Sequence, residues 1–483
     1  MIIGVDIGTT VTKAAGFSHD GRASVSASRR SIVHRLSGGR VEQDLDDVIA
    51  TVTDVVGEVA TKSTEPVEAL AITGQGDGLW LRDRHGDATH RPISWMDARA
   101  SAIVADWRRG GPDSVVQQVF AQTGSGIFPG CHASLLAHLN EYDPHVLEES
   151  AVAGYCVDAV LHRLTGDITV EASDASLPFL DVTRRQYVDE AINTCGIGQW
   201  RHLLADPEPP HSLHTLTDDA ATALGLSTDT AVSAGPYDLQ ACGIGSGTQL
   251  PGQGTIVLGT TLSCQVITTD RTIDPTSEPA GMWLCTPDPD QYLRVMPSMV
   301  GTASIDWVLN LIGAGHEDVA ALMRMSPPGA RGVRAQSFFS ESGERAPFVD
   351  PDIRGQFSGM TLSTEPADLV RALYESIAFA ARNCFDTLGL PDDLAACGGG
   401  IRSREVAQIM ANVLGRPIRI APGDMVGARG AAANAWRSLG APVSMHDWLS
   451  DHFTVDPDPQ TQSHYNEAYE KYLSDLSGTR NRA

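Results

Sequence analysis

An aspartate followed by a glycine–threonine–threonine turn stands at the start of the chain, and these residue types suit the binding of phosphate and a metal ion. Residues 2–17 read IIGVDIGTTVTKAAGF, where two β-branched, apolar runs flank the turn and predict a β-hairpin. Asp6 ends the first run. The turn offers hydroxyl and backbone N–H groups from Thr9 and Thr10, and Lys13 offers a cationic group. Such a turn can hold a polyphosphate while the carboxylate faces its Mg2+. An ordinary hairpin is the alternative interpretation.

A second aspartate stands where a proton acceptor could act. Residues 230–247, TAVSAGPYDLQACGIGSG, contain an apolar run that is stopped by Gly235 and Pro236, and Asp238 then opens a helix of small residues. A carboxylate at the end of a strand and the start of a helix can accept a proton from a reacting hydroxyl group. Aspartate is also a common N-cap, so capping alone is the other interpretation of this position.

The pattern of the first hairpin occurs again in residues 255–268. There, TIVLGTTLSCQVIT places Gly259 and Thr260 in a turn between two β-branched runs. The echo of DIGTT by LGTT is a weak internal repeat. Two equivalent phosphate turns, one in each domain, are what an actin-like duplicated fold would provide, and they place the domain boundary near Gly247.

A third glycine-rich turn follows a short predicted strand. Residues 397–415, CGGGIRSREVAQIMANVLG, contain Gly399 and Gly400 before a helix that is predicted to begin near Ser403. Glycines between a strand and a helix let a flat ring or a ribose lie against the backbone. The spacing is that of neither a Walker loop nor a dinucleotide fingerprint.

Two further stretches carry candidate contacts to a small polar molecule. TGQGDGLW (residues 73–80) offers Gln75 and Asp77 between glycines, which would allow a ligand to approach the backbone closely. In PISWMDARA (residues 92–100), Trp95 and Asp97 alternate, and an extended segment would point them the same way. An aromatic face beside a carboxylate suits a polyhydroxylated ligand. A buried tryptophan beside a structural Asp–Arg ion pair is the alternative.

The remaining periodicity predicts an α/β protein, because strand-like and helix-like stretches alternate. A helix of small residues, predicted from residue 427 to residue 436, is interpreted as a closely packed one. The other predicted helices cover residues 46–59, 132–141, 151–164 and 366–388, and further predicted strands cover residues 67–73 and 394–397.

Length and composition limit the classes of protein to which this sequence can belong. The 483 residues favour two domains, and the formal charge of −25 argues against a nucleic-acid or anionic-membrane partner. No basic leader and no apolar run of about eighteen residues is present, so a cytoplasmic protein is expected. The eight cysteines lack metal-like spacing and are interpreted as reduced.

Taken in this order, the stretches resemble the FGGY family of carbohydrate kinases from the first hairpin to about Trp436. The resemblance implies two actin-like (ribonuclease H-like) domains around a central cleft and transfer of the γ-phosphate of MgATP to a hydroxyl of a sugar or polyol. It further implies an N-terminal domain of residues 1–246, with the sugar site, first phosphate hairpin and base, and a C-terminal domain of residues 247–483, with the second hairpin and the adenosine site.

Matching positions in the family give each candidate residue an implied role. Asp6 would hold Mg2+ and Asp238 would be the catalytic base. The substrate pocket would be lined by Gln75, Asp77, Trp95, Asp97 and Asp238. The nucleotide would be held by Thr9, Thr10, Lys13, Gly259, Thr260, Gly399, Gly400 and Ser403.

Two departures bear on the substrate. Asn412 stands where an acid is usual, and Leu239 follows the base where glycerol and xylulose kinases typically carry an amide. GQGDG, WMDAR and GPYDL are most similar to the erythritol-kinase and L-xylulose-kinase side of the family, so a four- or five-carbon polyol or ketose is expected. A homodimer is expected as well. The rival hypotheses are a nucleotide switch, a sugar-responsive regulator and a degenerate scaffold protein with the same ATPase fold.

Overall fold

A computed structural model describes residues 1–480, which form two compact units. The first unit comprises residues 1–247, 268–293 and 425–450, and the second comprises residues 248–267, 294–424 and 451–480. Neither unit is continuous in the sequence, whereas the predicted domains were. The predicted division of function at Gly247 stays a prediction.

The first unit is built on a six-stranded sheet whose order is β5-β6-β4-β1-β2-β3. β1 is antiparallel to β2 and parallel to β4, and β4 is parallel to β6. β1 and β4 are almost wholly buried, which explains their continuous apolar runs. The strands are β1 (Ile2–Ile7), β2 (Val11–Phe17), β3 (Ala23–Arg30), β4 (Ala69–Gly74), β5 (His214–Thr215) and β6 (Ala231–Ala234).

Six strands of the second sheet, which has seven strands in all, repeat this arrangement in the order β9-β8-β7-β10-β11-β12. β7 is antiparallel to β8 and parallel to β10, and β10 is parallel to β11. Both predicted hairpins are therefore confirmed, and the echo of GTT turns reflects a repeated fold. The strands are β7 (Gln253–Leu258), β8 (Leu262–Thr268), β9 (Tyr292–Ser298), β10 (Asp393–Cys397), β11 (Ile418–Ile420) and β12 (Phe453–Val455).

Eight helices bear on the sites or on the packing described below. They are α1 (Leu45–Lys62), α2 (Cys156–Thr165), α3 (Asp238–Gly245), α4 (Thr302–Ile312), α5 (Pro366–Leu388), α6 (Arg404–Leu414), α7 (Val426–Ser438) and α8 (Gln462–Arg480). The other α-helices are Ser101–Trp107, Val115–Thr123, His132–Tyr142, Pro144–Glu149, Ala172–Ala175, Asp189–Thr194, Asp218–Leu224, Val319–Met325 and Met445–Trp448. Short additional strands are His34–Arg35, Val41–Glu42, Trp80–Arg82, Val152–Gly154, Leu180–Asp181, Gln186–Tyr187, Met282–Cys285, Arg334–Gln336 and Gln356–Ser358.

α7 belongs to the first unit and packs closely against α3 and the sheet. A Cβ atom on Gly430 would lie 1.9 Å from the Ala241 carbonyl oxygen, and one on Gly4 would lie 2.1 Å from the Ala428 carbonyl oxygen. Because backbone meets backbone at these positions, no side chain larger than hydrogen fits. The close packing predicted for this helix of small residues is confirmed.

One predicted helix is partly wrong. The structure divides the predicted helix of residues 151–164 into the strand Val152–Gly154 and helix α2. The strand pairs with Trp80–Arg82, which is distant in sequence. A tertiary partner thus decides the conformation of a short apolar run that periodicity alone assigns to a helix.

Two further findings concern the chain as a whole. Among residues 1–480, no helix is both long and apolar enough to cross a membrane. All eight cysteines are free, and seven of them are buried, which agrees with their interpretation as reduced side chains.

Candidate active site

The candidate residues of the first unit meet at one edge of its sheet. β1, β4 and β6 are parallel, with Asp6 opposite Thr73 and Ala234 opposite Ile72. Their carboxyl ends therefore lie together. Asp6 is the last residue but one of β1, and the segment after β4 and the segment that leads to Asp238 leave the sheet at this edge. In open α/β sheets, this is the edge where ligands bind.

Asp6 is held among three elements of the first unit. It lies opposite Lys13 on β2, and a Cβ atom on Gly427 of α7 would lie 2.5 Å from its Oδ2 atom. Burial raises the pKa of Asp6 to about 6, and the Lys13 charge lowers it by a smaller amount. Residues 1–480 contain no cluster of three or more His, Cys, Asp or Glu side chains that could hold a metal ion. A single carboxylate fits Mg2+, which is commonly bound by one or two carboxylates together with substrate phosphates.

Replacing Asp6 with asparagine is expected to stabilise the ligand-free protein at neutral and alkaline pH. Because the folded state raises the pKa of Asp6 from 3.8 to about 6, the folded state binds the proton more tightly, and stability falls as the pH rises between these values. After a discount for partial exposure, the variant should gain about 2 kcal/mol above pH 7 and little near pH 4. Urea denaturation at several pH values measures this difference, and a difference that does not change with pH would contradict it.

The first GTT turn is anchored by a residue that the sequence interpretation missed. Ser31 donates its hydroxyl hydrogen to the Gly8 carbonyl oxygen (2.6 Å) and its N–H to the Thr10 carbonyl oxygen (3.0 Å). Thr9 is half-buried and Thr10 is exposed. The backbone of the turn is thereby fixed while the Thr10 side chain faces solvent.

Gln75 and Asp77 lie in the buried segment that follows β4. The Gln75 backbone N–H donates to the Ile7 carbonyl oxygen (3.0 Å), and its Nε2 donates to Gln43 Oε1 (2.8 Å). Asp77 adopts the left-handed conformation with φ of 55°, which aspartate tolerates better than most residues. The segment is therefore fixed to the end of β1.

The glycines of this segment accommodate protein atoms, and the approach of a ligand to this backbone stays a prediction. A Cβ atom on Gly76 would lie 2.3 Å from the Tyr237 ring, and one on Gly78 would lie 2.5 Å from the Ile93 carbonyl oxygen. A Cβ atom on Gly74 would lie 3.0 Å from the Ile7 Cβ atom. These glycines permit close packing within the first unit.

The extended conformation predicted for residues 92–100 is wrong. The Asp97 N–H donates to the Ser94 carbonyl oxygen (3.0 Å), which closes a turn at Trp95. The buried Asp97 carboxylate accepts hydrogen bonds from the Val41 N–H (2.6 Å) and from Arg99 Nε (2.9 Å). The structural Asp–Arg pair considered from the sequence is thus present, and a contact of Asp97 with substrate stays a prediction. Trp95 is half-buried.

Asp238 is the first residue of α3, and the N-cap of that helix is Tyr237. The alternative in which Asp238 merely caps the helix is therefore wrong. The preceding residues are tied to the sheet and to a distant loop. Thr73 Oγ1 donates to the Pro236 carbonyl oxygen, and the Tyr237 N–H donates to Ser173 Oγ (2.8 Å). These bonds fix the backbone on which the Asp238 carboxylate is carried.

A buried acidic loop beside this edge was not identified as functional from the sequence. Residues 171–178, EASDASLP, contain the short helix Ala172–Ala175 and the fully buried Asp174. The pKa of the nearby Glu171 is raised to about 7, chiefly by burial. The sequence signal for this site is the pair of acids in EASDASLP, Glu171 and Asp174, which stand three residues apart.

In the second unit, the second GTT turn contacts the start of helix α4. The Thr302 N–H donates to the Gly259 carbonyl oxygen (2.9 Å), and a Cβ atom on Gly301 would lie 2.3 Å from the Thr260 carbonyl oxygen. Thr260 is exposed. The N-terminus of a helix carries partial positive charge and favours anions nearby, and the sequence interpretation did not include this helix.

The glycine-rich turn of the second unit lies beside the same strand end. A Cβ atom on Gly398 would lie 2.3 Å from the Leu258 carbonyl oxygen, and one on Gly400 would lie 2.5 Å from Thr302 Cγ2. Gly399 alone of these three has no atom within 4 Å of the Cβ position, so its surroundings leave room for a ligand. Ser403 is the N-cap residue of α6, and its hydroxyl group donates to Glu405 Oε2 (2.9 Å).

Two repeated sheets, each with a GTT turn after its central strand, define the class of actin-like ATPase domains. The solved structure of a ligand-bound xylulose kinase from Lactobacillus acidophilus has this fold, with a TM-score of 0.90 at 22% identity over 99% of this chain and 98% of its own. Glycerol kinase of Plasmodium falciparum with ADP is similar too, with a TM-score of 0.83 at 18% identity over 98% of this chain and 97% of its own.

The sequence comparisons identify the family. The model of the N-terminal domain of the FGGY family of carbohydrate kinases matches residues 1–245, and that of the C-terminal domain matches residues 254–439. The chain belongs to the FGGY family of carbohydrate kinases. It is 29% identical to an erythritol kinase of Brucella abortus (strain 2308), over 93% of this chain and 90% of that protein. The chain is therefore an ATP-dependent carbohydrate kinase, as the sequence predicted.

Proposed function

We propose that this kinase phosphorylates a hydroxyl group of a four-carbon polyol or a five-carbon ketose, with erythritol-like substrates as the lead and with Asp238 as the base. The catalytic assignment rests on one observation: the carboxyl ends of β1, β4 and β6 lie at the same edge of the sheet. This edge carries Asp6, the Gln75–Asp77 segment and the residues before Asp238. The similarity to an erythritol kinase along nearly the whole chain supports the choice of substrate.

The chemical step is an in-line phosphoryl transfer. Asp238 accepts the proton of the attacking hydroxyl group, whose oxygen forms a bond to the γ-phosphorus as the bond between that phosphorus and the bridging oxygen of ADP breaks. Positioning and charge neutralisation dominate such reactions. The fixed backbone around Pro236 and Tyr237 supports this role, because a base must be held within hydrogen-bond reach of the proton it removes.

The nucleotide is assigned to the glycine and threonine turns. Asp6 would hold Mg2+, which supplies charge neutralisation to the phosphate oxygens when bound. The exposed Thr10 and Thr260 and the open surroundings of Gly399 support this assignment. The remaining residues proposed to contact ATP are Thr9, Lys13, Gly259, Gly400 and Ser403.

The binding site of the acceptor, the molecule whose hydroxyl group is phosphorylated, is assigned to the first unit. Gln75 and Asp77 offer amide and carboxylate groups for substrate hydroxyls, and Trp95 offers an aromatic face for C–H groups. Asp97 remains among the residues proposed to line the acceptor site. Its bonds to Val41 and Arg99 suit the orientation of the segment that carries Trp95.

A coupled assay of ADP release with a panel of acceptors tests this proposal. The panel should contain erythritol, both threitols, D- and L-xylulose, glycerol and a hexitol, with a reaction without acceptor as the control. We expect kcat/KM for one tetritol or pentulose to exceed that for glycerol and the hexitol by at least about tenfold, since one carbon unit in a shaped pocket is worth this much.

Equal rates with and without every acceptor would overturn the assignment, as would a clear preference for glycerol or the hexitol. Mass spectrometry of the product then locates the phosphorylated hydroxyl group. The predicted homodimer stays a prediction, and light scattering of the purified protein decides it.

A further inference from the structure

Asp174 is a buried carboxyl group for which the proposed reaction has no evident use. It lies in the short helix Ala172–Ala175 and is 1% exposed. Among residues 1–480, neither of its oxygens has a hydrogen-bond partner. An ionised carboxylate is strongly unfavourable when it is buried without donors, whereas a neutral carboxylic acid is far less so.

The charged groups that act on Asp174 are mostly acidic. The buried Arg82 donates from Nη2 to Asp158 Oδ2 (2.6 Å), so this cation is already paired with another of the acids. The pKa of Asp174 is raised well above its ordinary value, chiefly by burial. The negative charges that raise it further are those of Glu171, Asp158, Asp238 and Asp77. The neutral titratable groups of helix α2 and its cap, Tyr155 and Cys156, have their pKa values raised as well, chiefly by burial.

The position of Asp174 connects the two segments assigned to the substrate and the base. Its Oδ1 atom lies 3.0 Å from the Cβ position of Gly76, and the same Cβ position lies 2.3 Å from the Tyr237 ring. Ser173, its neighbour in the chain, accepts a hydrogen bond from the Tyr237 N–H. Asp174 therefore lies between the segment of Gln75 and Asp77 and the residue that precedes Asp238.

We propose that Asp174 stays a neutral carboxylic acid, so that the negative charge beside Tyr237 remains on the base, Asp238. This proposal rests on the proposed function for the role of Asp238. A second ionised carboxylate nearby would increase the proton affinity of Asp238, and a base that already carries a proton cannot accept one from the substrate.

The first test uses kinetics of Asp174→Asn, a neutral variant of nearly the same shape. We expect KM for the acceptor and kcat near neutral pH to remain within about threefold of the wild type, and the acid limb of the kcat–pH profile to keep its position. If Asp174 were charged in the working enzyme, its removal would shift that limb to lower pH by about one unit or more, and such a shift would overturn the proposal. So would a loss of kcat of about 100-fold.

The second test measures stability and is independent of any kinase activity. Because a neutral acid binds its proton more tightly in the folded state, wild-type stability should fall as the pH rises above the ordinary carboxyl range. The Tm of Asp174→Asn relative to the wild type should therefore rise steadily between about pH 4 and pH 8. Glu171→Gln calibrates the slope, since burial raises the pKa of Glu171 to about 7. Asp158→Asn, which leaves Arg82 unpaired, should lower Tm at every pH. A constant Tm difference for Asp174→Asn would overturn the proposal.

A measurement on the unchanged protein covers the case in which the variant does not fold. The infrared spectrum of the wild type in D2O at about pH 8 should contain the C=O stretching band of a protonated carboxyl group, and its absence would overturn the proposal. If no acceptor is phosphorylated but this band and the Tm trend are present, the assigned reaction fails while the neutral state of Asp174 stands.

Discussion

Replacing Asp238 with asparagine is expected to lower kcat for acceptor phosphorylation by about 10^2- to 10^4-fold while ATP binding changes little. A positioned general base contributes a factor of this size, and asparagine keeps the shape of the side chain but cannot take the proton. The helix that begins at Asp238 and the bonds that hold Pro236 and Tyr237 do not depend on the carboxylate. The coupled assay measures kcat, and calorimetry measures nucleotide binding.

Asp218→Asn is a matched control for this experiment. Asp218 is also the first residue of a helix, Asp218–Leu224, in the first unit, and it is exposed. Removing its charge costs only the favourable interaction with the helix N-terminus, so its kcat should equal that of the wild type. Near-normal turnover by Asp238→Asn, or an equal loss in the control, would refute the assignment of Asp238 as the base.

The second large effect is expected on stability, from Gly430→Ala in α7. Alanine in an exposed helix interior is normally better than glycine by about 1 kcal/mol. Here, the added Cβ atom would lie 1.9 Å from the Ala241 carbonyl oxygen and 2.9 Å from the Gly245 nitrogen. Both are backbone atoms of α3, so neither can move aside cheaply. We expect the free energy of unfolding to fall by about 3 kcal/mol or more, as measured by urea denaturation.

Gly478→Ala in α8 is the matched control, because no atom lies within 4 Å of its Cβ position. This variant should be as stable as the wild type or more stable by about 0.5–1 kcal/mol. If both variants were equally stable, the close contact of α3 with α7 would be refuted. Loss of kcat in Gly430→Ala at a temperature where it remains folded would further link this packing to the placement of Asp238.

The elements that were predictable from the sequence are those with local signals. The hairpin of β1 and β2 follows from β-branched runs around a GTT turn, and the matching hairpin of β7 and β8 follows in the same way. Helix α5, predicted over residues 366–388, has those bounds because its capping pattern and its apolar period agree. Local agreement of this kind needs no knowledge of distant partners.

What was not predictable depends on partners far away in the sequence. The strand Val152–Gly154 exists because it pairs with Trp80–Arg82, and the turn at Trp95 accompanies the bonds of Asp97 to Val41 and Arg99. Asp174 is an ordinary loop acid until the fold buries it without a donor. Periodicity and spacing contain none of these relations.

The return of residues 425–450 to the first unit has a consequence for biosynthesis. α7 covers a face of the first sheet, where its alanines and Trp436 cluster with Ile2, Ala15 and Ala71. A ribosome must therefore synthesise most of the polypeptide before this face can be covered, and a nascent chain that stops at residue 246 leaves apolar surface exposed to water. Chaperone binding to such stalled chains should be directed to that face.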